Sequence, residues 1–304
     1  MAENEKKDLI KSDYYPKSAL QYVYPINQLE LKQLIDELRL RGYSRNTIKT
    51  YSGEFTQLLY LLKNYPVKSL PPEKLRSYLL YCVEVLKLSE NQIHSRLNAI
   101  KFYFEKVLKR EKFFAEIPRP KKRQILPKAL SKEEVKKLFS VIRNPKHLLI
   151  MKLCYGMGLR VSEIVNLKIA DIDSSRMLVL IESAKGKKDR YVPLPESVLT
   201  EMRQYYLLYK PRIYLFEGQY GDAYSKRSVQ AVFKTAMRKA NIHKAIGMHG
   251  LRHSYATHLM EAGTDMALIQ KLLGHQNIKT TEIYAKISFK EVVKVRSPLD
   301  SMEL

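Results

Sequence analysis

Four short segments of this chain carry residue types that could act together on a phosphoryl group. They are GLRVSE at 158–163, AKGKKDR at 184–190, HGLRH at 249–253 and LGH at 273–275, and Tyr284 follows the last of them. Arginine offers a planar fork to non-bridging oxygens, and fixed positive donors stabilise the charge that grows in a pentavalent transition state. Taken singly, each segment is weak evidence for chemistry, because surface Arg and Lys are common and a helix-capping histidine is usually structural.

The composition indicates a polyanionic partner. The 304 residues include 54 Lys and Arg against 31 Asp and Glu, a formal net charge of +23. Residues 1–124 hold 24 basic and 14 acidic residues, and the remainder holds 30 and 17. Because both parts are basic, we expect both to face the polyanion, and nucleic acid fits this distribution better than a membrane does. A charge that only keeps the protein soluble is the alternative.

Several classes of protein are excluded by what the sequence lacks. It has no uncharged apolar run long enough to span a membrane and no secretory signal. Two cysteines, Cys82 and Cys154, fit a reducing cytoplasm. There is no glycine-rich phosphate loop. His249 and His253 could share a helix face as metal ligands, but no third ligand accompanies them. We therefore predict no cofactor and no metal.

The first part of the chain has helical periodicity and no strand pattern. One helix is predicted from Leu29 to Leu40, and three more are opened by Ser44, by Pro71-Pro72 and by Ser89. Four helices within so short a stretch predict one compact bundle.

The second part is predicted to be mainly helical around a small antiparallel hairpin. Ser131 and Glu134 form a capping-box pattern before a first helix. Segments 176–182 and 189–194 are rich in β-formers around a Lys/Gly turn, which predicts a hairpin. Further helical patterns lie at 145–157, 195–208, 225–240, 250–262, 265–273 and 279–285.

In this order and spacing, the segments resemble those of the tyrosine recombinase family, which includes phage integrases, Xer-type recombinases and integron and transposon integrases. GLRVSEIVNL at 158–167 looks like the family's first-arginine box, and HGLRHSYATHLMEAG at 249–263 looks like its His-x-x-Arg box. LLGHQNIKTTEIYAK at 272–286 looks like its histidine and nucleophile box, and AKGKKDRYVPLP at 184–195 looks like its hairpin lysine segment. The N-terminal helices resemble its SAM-like core-binding domain.

The resemblance implies a role for each of three basic residues. Arg160 and Arg252 would clamp the scissile phosphate of DNA. Lys185 would be the general acid that protonates the leaving 5′ oxygen, and Lys187 is its main rival for that role.

The resemblance also implies the rest of the catalytic set. Tyr284 would be the nucleophile, and His249 would act as acid or base for it. His275 would donate to a non-bridging oxygen, and Glu163 would support the site. A phenol needs nearby cations or a base to attack at neutral pH.

The implied function is site-specific recombination through a covalent 3′-phosphotyrosine and a Holliday junction, without ATP or metal. The implied partners are double-stranded DNA with inverted-repeat core sites and further copies of the chain, as a homotetramer on two DNA sites. The biological role would be integration and excision of a mobile element, or Xer-like resolution or inversion. Type IB topoisomerase-like relaxation of DNA is the alternative.

Five segments are predicted along the chain. They are a lead-in at 1–24, a core-binding domain at 25–112, a basic linker at 113–130, a catalytic domain at 131–286 and a C-terminal tail at 287–304. The linker would follow DNA phosphates or be a solvated tether. The tail would pack on a neighbouring subunit.

Further DNA contacts are predicted on both domains, with a solvated surface as the alternative for each. The candidates are Ser44, Arg45, Thr47, Arg96, Lys101, Lys187, Lys188 and Arg190.

Overall fold

The computed structural model describes residues 23–110, 128–184, 188–275, 277–278 and 280–282. The chain divides into two compact units, Met1–Gln124 and Ile125–Leu304, called here the N-terminal and C-terminal units. The predicted lead-in and linker lie mostly outside the described residues, and the predicted tail lies wholly outside them.

The described part of the N-terminal unit contains four α-helices, as predicted. They are α1 (Pro25–Leu40), α2 (Arg45–Leu62), α3 (Pro72–Glu84) and α4 (Glu90–Phe102). Ser44 caps α2 by accepting a hydrogen bond from the Thr47 amide, and Ser89 caps α4 in a capping box with Gln92. A 3₁₀ turn (Val67–Ser69) precedes α3, and a π-helical turn (Tyr103–Val107) continues α4.

The N-terminal unit is held by an apolar core and by one buried amide. Leu34, Phe55 and Ile100 are fully buried between the helices. Asn27 is also fully buried. Its side chain donates to the Tyr65 carbonyl and accepts from the Val67 amide, each at 2.9 Å, and so fixes the connection between α2 and α3 against α1.

The described part of the C-terminal unit contains seven α-helices and three strands. They are α5 (Lys132–Ser140), α6 (Pro145–Gly156), α7 (Val161–Val165), β1 (Ile172–Asp173), β2 (Leu178–Ala184), β3 (Lys188–Pro193), α8 (Glu196–Tyr209), α9 (Lys226–Lys239), α10 (His249–Glu261) and α11 (Met266–Leu273). Helix α6 lies at the centre and packs against α8 and α10.

The sheet is antiparallel with the order β1-β2-β3. The predicted hairpin is confirmed as β2 and β3, in which Val179 pairs with Val192 and Ile181 pairs with Arg190. Val179, Ile181 and Val192 are buried, so this face of the hairpin covers the core. The two-residue strand β1 was not predicted, because two residues carry no periodicity.

In the described part of the chain, no helix has both the length and the apolar character needed to cross a membrane.

Candidate active site

Glu163 is the centre of the candidate site, and local helix capping places it there. Helix α7 is a single short helix whose N-cap is Arg160 and whose third residue is Glu163. The Glu163 carboxylate accepts from the Arg160 backbone amide at 2.9 Å and from the Arg160 guanidinium at 2.7 Å. Capping of this kind satisfies an otherwise unpaired amide of the first turn. It also holds Arg160 and Glu163 in one geometry.

Arg190 of β3 contacts the same carboxylate with both terminal nitrogens. Its Nη1 donates to Glu163 Oε1 at 3.0 Å, and its Nη2 donates to Oε2 at 2.8 Å. The Arg190 and Glu163 side chains are only 8% and 5% exposed. Burial acts to raise the pKa of Glu163, but hydrogen bonds and charge from Arg190, with those from Arg160, outweigh it and hold that pKa at about 2. Glu163 is therefore ionised at neutral pH.

Arg252 of α10 is fully buried beside these groups. It donates from Nη1 to the Gly158 carbonyl and from Nη2 to the Leu273 carbonyl, each at 2.5 Å. Its Nη1 also lies 3.9 Å from Glu163 Oε2. Within the described part of the site, three guanidinium groups thus share the carboxylate of Glu163.

The C-terminal end of α11 receives one hydrogen bond from each of the three arginines. Leu272, Leu273 and Gly274 are consecutive, and their carbonyls accept at 2.9, 2.5 and 3.4 Å respectively. The donors, in the same order, are Arg190, Arg252 and Arg160. The last carbonyls of a helix lack partners within the helix and carry the negative end of its dipole. The arginines donate hydrogen bonds to these carbonyls, and their positive charge offsets the negative end of the helix dipole.

Two glycines are required where the backbone approaches the arginines. Gly158 and Gly274 have φ angles of +62° and +63°, which L side chains rarely adopt. A Cβ at Gly158 would lie 2.5 Å from the Tyr255 ring, and one at Gly274 would lie 3.1 Å from the Arg190 side chain. Both carbonyls are acceptors for the arginines, so both turns are part of the site.

Three histidines complete the described part of the site. The rings of His249 and His253 meet edge to face, with centroids 4.5 Å apart. Burial, then the charges of Arg252 and Arg160, lower the pKa of His249. The same causes lower the pKa of His275 to about 3, and burial, with the neighbouring His249, lowers that of His253 to about 4. All three imidazoles are neutral at neutral pH.

His275 is tied to the segment that leads to Tyr284. Its Nδ1 and the Thr281 hydroxyl share a hydrogen bond of 3.0 Å, and Thr281 is fully buried. Lys185, Lys187 and Tyr284 themselves lie outside the described residues, as does the side chain of Lys188. The structure therefore brings together five of the predicted site residues: Arg160, Glu163, His249, Arg252 and His275.

The structure places Arg190 in a different environment from the one predicted from the sequence. It is predicted as a DNA contact, but its guanidinium is buried on Glu163. The physical reason is strand alternation, because Arg190 lies on the same face of β3 as the buried Val192. The two-residue spacing between Arg190 and Val192 can be seen in the sequence and already indicated that both side chains lie on one face.

Arg96 is also placed differently from its predicted role. It is 7% exposed, and its Nε donates to Glu54 Oε2 at 2.8 Å. The guanidinium is committed to the interior of the N-terminal unit, which disagrees with a DNA contact. Ile93, Leu97 and Ile100 are buried on the same face of α4, so the helical period of the sequence already indicated this position.

The remaining predicted DNA contacts of the N-terminal unit stay predictions. Ser44 and Arg45 are exposed, and Thr47 is half-buried at the start of α2. Lys101 is half-buried on α4 and pairs with Glu105 at 3.3 Å. Across the described ranges, no cluster of three or more His, Cys, Asp or Glu is placed to hold a metal ion.

Two family models match the chain and cover most of it. The Phage integrase family model matches residues 128–291, and the model of the Phage integrase N-terminal SAM-like domain matches residues 31–112. The first match alone spans more than half of the sequence. The chain belongs to the phage integrase family, whose members are the tyrosine recombinases.

Individual relatives agree with this assignment along most of their length. The tyrosine recombinase XerA of Pyrococcus horikoshii is 34% identical over 274 residues, which cover 88% of this chain and 92% of that protein. XerA of Pyrococcus furiosus is 36% identical over 278 residues, with coverages of 86% and 91%. Like these relatives, the chain is a tyrosine-type site-specific recombinase.

The fold is shared with solved recombinase structures. A post-cleavage complex of the site-specific recombinase XerH with a palindromic difH substrate matches with a TM-score of 0.70 at 22% identity, covering 86% of this chain and 82% of that chain. The predicted fold class is confirmed: a SAM-like helical domain is followed by a tyrosine recombinase catalytic domain with a small antiparallel sheet.

Proposed function

We propose that this recombinase cuts DNA strands through Tyr284, which forms a covalent 3′-phosphotyrosine, and rejoins them to a second duplex by way of a Holliday junction. The observation that carries the proposal is the charge of the described site. Arg160, Arg190 and Arg252 share the carboxylate of Glu163. Such a cluster retains a positive surplus, which an anion such as a phosphodiester would neutralise.

The two flanking arginines would bind the phosphate. Arg160 and Arg252 would donate to its non-bridging oxygens and stabilise the charge of the pentavalent transition state. His275 lies within the field of both guanidiniums, and as a neutral imidazole it would donate one more hydrogen bond to a non-bridging oxygen. Glu163 would hold Arg160 in place through the contacts already described.

Proton transfer would divide between two groups. The Tyr284 oxygen would attack phosphorus and form the new P–O bond as the bond to the 5′ oxygen breaks. The lowered pKa of His249 leaves its imidazole neutral and able to accept the proton of the Tyr284 hydroxyl. Lys185 would give a proton to the leaving 5′ oxygen, so that a 5′-hydroxyl results. Attack of a 5′-hydroxyl on the phosphotyrosine reverses every step and conserves the ester, and ATP is not consumed.

The nucleophile can be tested on a duplex selected from a random-sequence library for binding to the protein. Tyr284→Phe should bind this duplex with unchanged affinity and form no covalent adduct on a denaturing gel. Tyr220→Phe is the matched control, because Tyr220 is 89% exposed on the same unit, and it should form the adduct at the wild-type rate. An adduct that survives Tyr284→Phe would overturn the assignment.

The assembly is part of the same proposal. A homotetramer would hold two inverted-repeat core sites in the cytoplasm, with the core-binding domain (25–112) and the catalytic domain (131–286) on DNA and the linker (113–130) along its phosphates. The tail (287–304) would pack on the neighbouring subunit. Deleting 287–304 should leave binding to one site intact but weaken the pairing of two sites, as measured by a gel-shift assay. Unimpaired recombination by the truncated protein would refute this role of the tail.

The biological role would be integration and excision of a mobile element or Xer-like resolution or inversion. Plasmids that carry two selected sites in direct repeat, in inverted repeat or on separate molecules distinguish deletion, inversion and integration. Strand exchange in any of them supports recombination. Relaxation of supercoils without exchange would indicate a topoisomerase-like enzyme instead.

A further inference from the structure

All three guanidinium nitrogens of Arg190 donate hydrogen bonds to other groups of the protein. Its Nη1 and Nη2 donate to the two oxygens of Glu163, and its Nε donates to the Leu272 carbonyl at 2.9 Å. The side chain is only 8% exposed. A guanidinium whose three nitrogens are all engaged in this way is not placed to contact a DNA phosphate.

Through its contact with Glu163, the positive guanidinium of Arg190 neutralises the negative charge of that carboxylate. The bidentate pair is the strongest geometry that an arginine and a carboxylate form. Arg160 contacts the same carboxylate with one nitrogen, and Arg252 approaches it only to 3.9 Å. With Arg190 assigned to Glu163, that carboxylate is already paired, and the guanidiniums of Arg160 and Arg252 keep the site positive toward an incoming anion.

The contact of Arg190 with Leu272 fixes a helix end. Leu272 begins the run of three carbonyls at the end of α11, and the next residue after that run is His275. Gly274, which lies between them, approaches the Arg190 side chain so closely that a Cβ would lie 3.1 Å from it. Arg190 therefore links the carboxylate that orients Arg160 to the turn that orients His275.

We propose that Arg190 is a positioning residue of the recombination reaction: it neutralises Glu163 and fixes the end of α11, and so keeps Arg160, Arg252 and His275 arranged for the phosphate. This inference rests on the proposed function of the site. A lysine would keep the charge of Arg190 but not its geometry, because an ammonium is a point charge that cannot reach two carboxylate oxygens and a carbonyl in one plane. Arg190→Lys should behave as a partial replacement.

The first test measures chemistry separately from binding. Adduct formation is followed in a single turnover at saturating selected duplex, and the dissociation constant is measured on the same duplex. Arg190→Ala should slow adduct formation on the order of 10²-fold, the scale expected for misplaced reacting groups, and leave the dissociation constant within about twofold, since only the contacts at the scissile phosphate change and those to the other phosphates of the duplex remain. Arg190→Lys should fall between. Arg176→Ala is the control, because Arg176 is 79% exposed in the β1–β2 turn, and it should keep the wild-type rate.

A charge-balancing role predicts a response that a structural role does not. If an unneutralised Glu163 withdraws Arg160 and Arg252 from the phosphate, then removing its charge should not add a further loss. Arg190→Ala combined with Glu163→Gln should therefore be no slower than Arg190→Ala alone. A double variant whose loss is the product of the two single losses would overturn charge balancing, as would a wild-type rate in Arg190→Ala or a weaker DNA affinity with a smaller salt dependence.

The second test needs no reaction at Tyr284. Inorganic phosphate should raise the melting temperature of the DNA-free wild-type protein, because it can occupy the arginine cluster. The increase should be smaller in Arg190→Ala and Arg190→Lys and unchanged in Arg176→Ala. Equal increases in all four proteins, or no increase in the wild type, would overturn the inference. A wild type that forms no adduct but shows these phosphate effects would instead refute the proposed covalent chemistry and leave the role of Arg190 standing.

Discussion

The two units bury charged groups in different ways. In the N-terminal unit, Arg96 pairs with Glu54, and Glu30 lies between the Tyr103 hydroxyl at 2.7 Å and the Lys68 ammonium at 3.2 Å. Glu54 is thus paired with Arg96, and Glu30 is paired with Lys68. In the C-terminal unit, Glu163 faces the guanidiniums of three arginines. The first arrangement is balanced, and the second has a positive surplus.

The difference separates two uses of buried charge. A balanced pair satisfies its own members and adds little net stability, since desolvation offsets the attraction. A cluster with surplus charge is held only because surrounding groups also contribute, here the carbonyls at Gly158 and at the end of α11. We expect a bound anion to stabilise such an arrangement further. The following substitutions test this contrast, from the largest expected effect to the smallest.

The largest effect is expected from Glu163→Gln. Three guanidiniums would lose their shared counter-charge, and breaking a buried ion pair costs about 3–5 kcal/mol. Glu54→Gln is the matched change in the N-terminal unit. It should cost less, about 1.5–3 kcal/mol, the range for a hydrogen bond to a charged group, because the Glu54 side chain is 21% exposed. Denaturant unfolding with hydrogen exchange assigned to each unit measures both. Equal costs would remove the contrast.

Gly274→Ala should have the next largest effect. A left-handed backbone at a non-glycine residue costs about 1–2 kcal/mol, and the new Cβ would also press on Arg190. Gly263→Ala is the control, because Gly263 has a φ of +88° and nothing within 4 Å of a Cβ. Both variants should melt earlier, and Gly274→Ala alone should also slow adduct formation. Normal chemistry in Gly274→Ala would show that the end of α11 does not position the site.

The C-terminal unit should lose stability in mild acid. The pKa values of His275 and His253 are lowered to about 3 and about 4, whereas an unfolded histidine titrates near 6.5. The unfolded state therefore binds more protons over this range, and stability falls as pH drops from about 6.5 towards 4. His275→Asn should reduce that slope by a fraction of the ~1.4 kcal/mol per pH unit that one proton contributes. The test is to measure the free energy of unfolding of both proteins across this pH range. An unchanged slope in His275→Asn would contradict the lowered pKa of His275.

The smallest effect is expected when the balanced pair of the N-terminal unit is replaced as a whole. Arg96→Met combined with Glu54→Leu should change the free energy of unfolding by no more than about 1 kcal/mol, because both charges leave together. DNA affinity and its salt dependence should also stay unchanged, since Arg96 is buried. A smaller salt dependence in the double variant would restore Arg96 as a DNA contact.

Local signals in the sequence were sufficient to predict most of the fold. Caps at Ser44, Ser89 and Ser131 and the alternation of the β2–β3 hairpin involve residues a few positions apart, and the structure confirms them. Strand β1 and the π-helical turn at 103–107 were not predicted. The first depends on pairing with β2, and the second accompanies the consecutive buried aromatics Phe102, Tyr103 and Phe104.

The site was predicted only in part, for a related reason. The motif residues Arg160, His249, Arg252 and His275 came from their order along the chain. The use of backbone carbonyls as partners is invisible in a sequence, because every residue has one. Arg190 and Arg96 were assigned from their charge, although the strand and helix periods placed them on buried faces.

Three of the four arginine–carbonyl hydrogen bonds described for the site join parts of the chain that are far apart in sequence. Arg190 reaches Leu272 across 82 positions, Arg252 reaches Gly158 across 94, and Arg160 reaches Gly274 across 114. A nascent chain that has been made only as far as the hairpin already contains Arg160, Glu163 and Arg190. It still lacks the end of α11, whose carbonyls accept hydrogen bonds from Arg160 and Arg190. Contacts of such separation are slow to form, because long loops must close first. The arginine cluster can therefore be assembled only after α11 has been made.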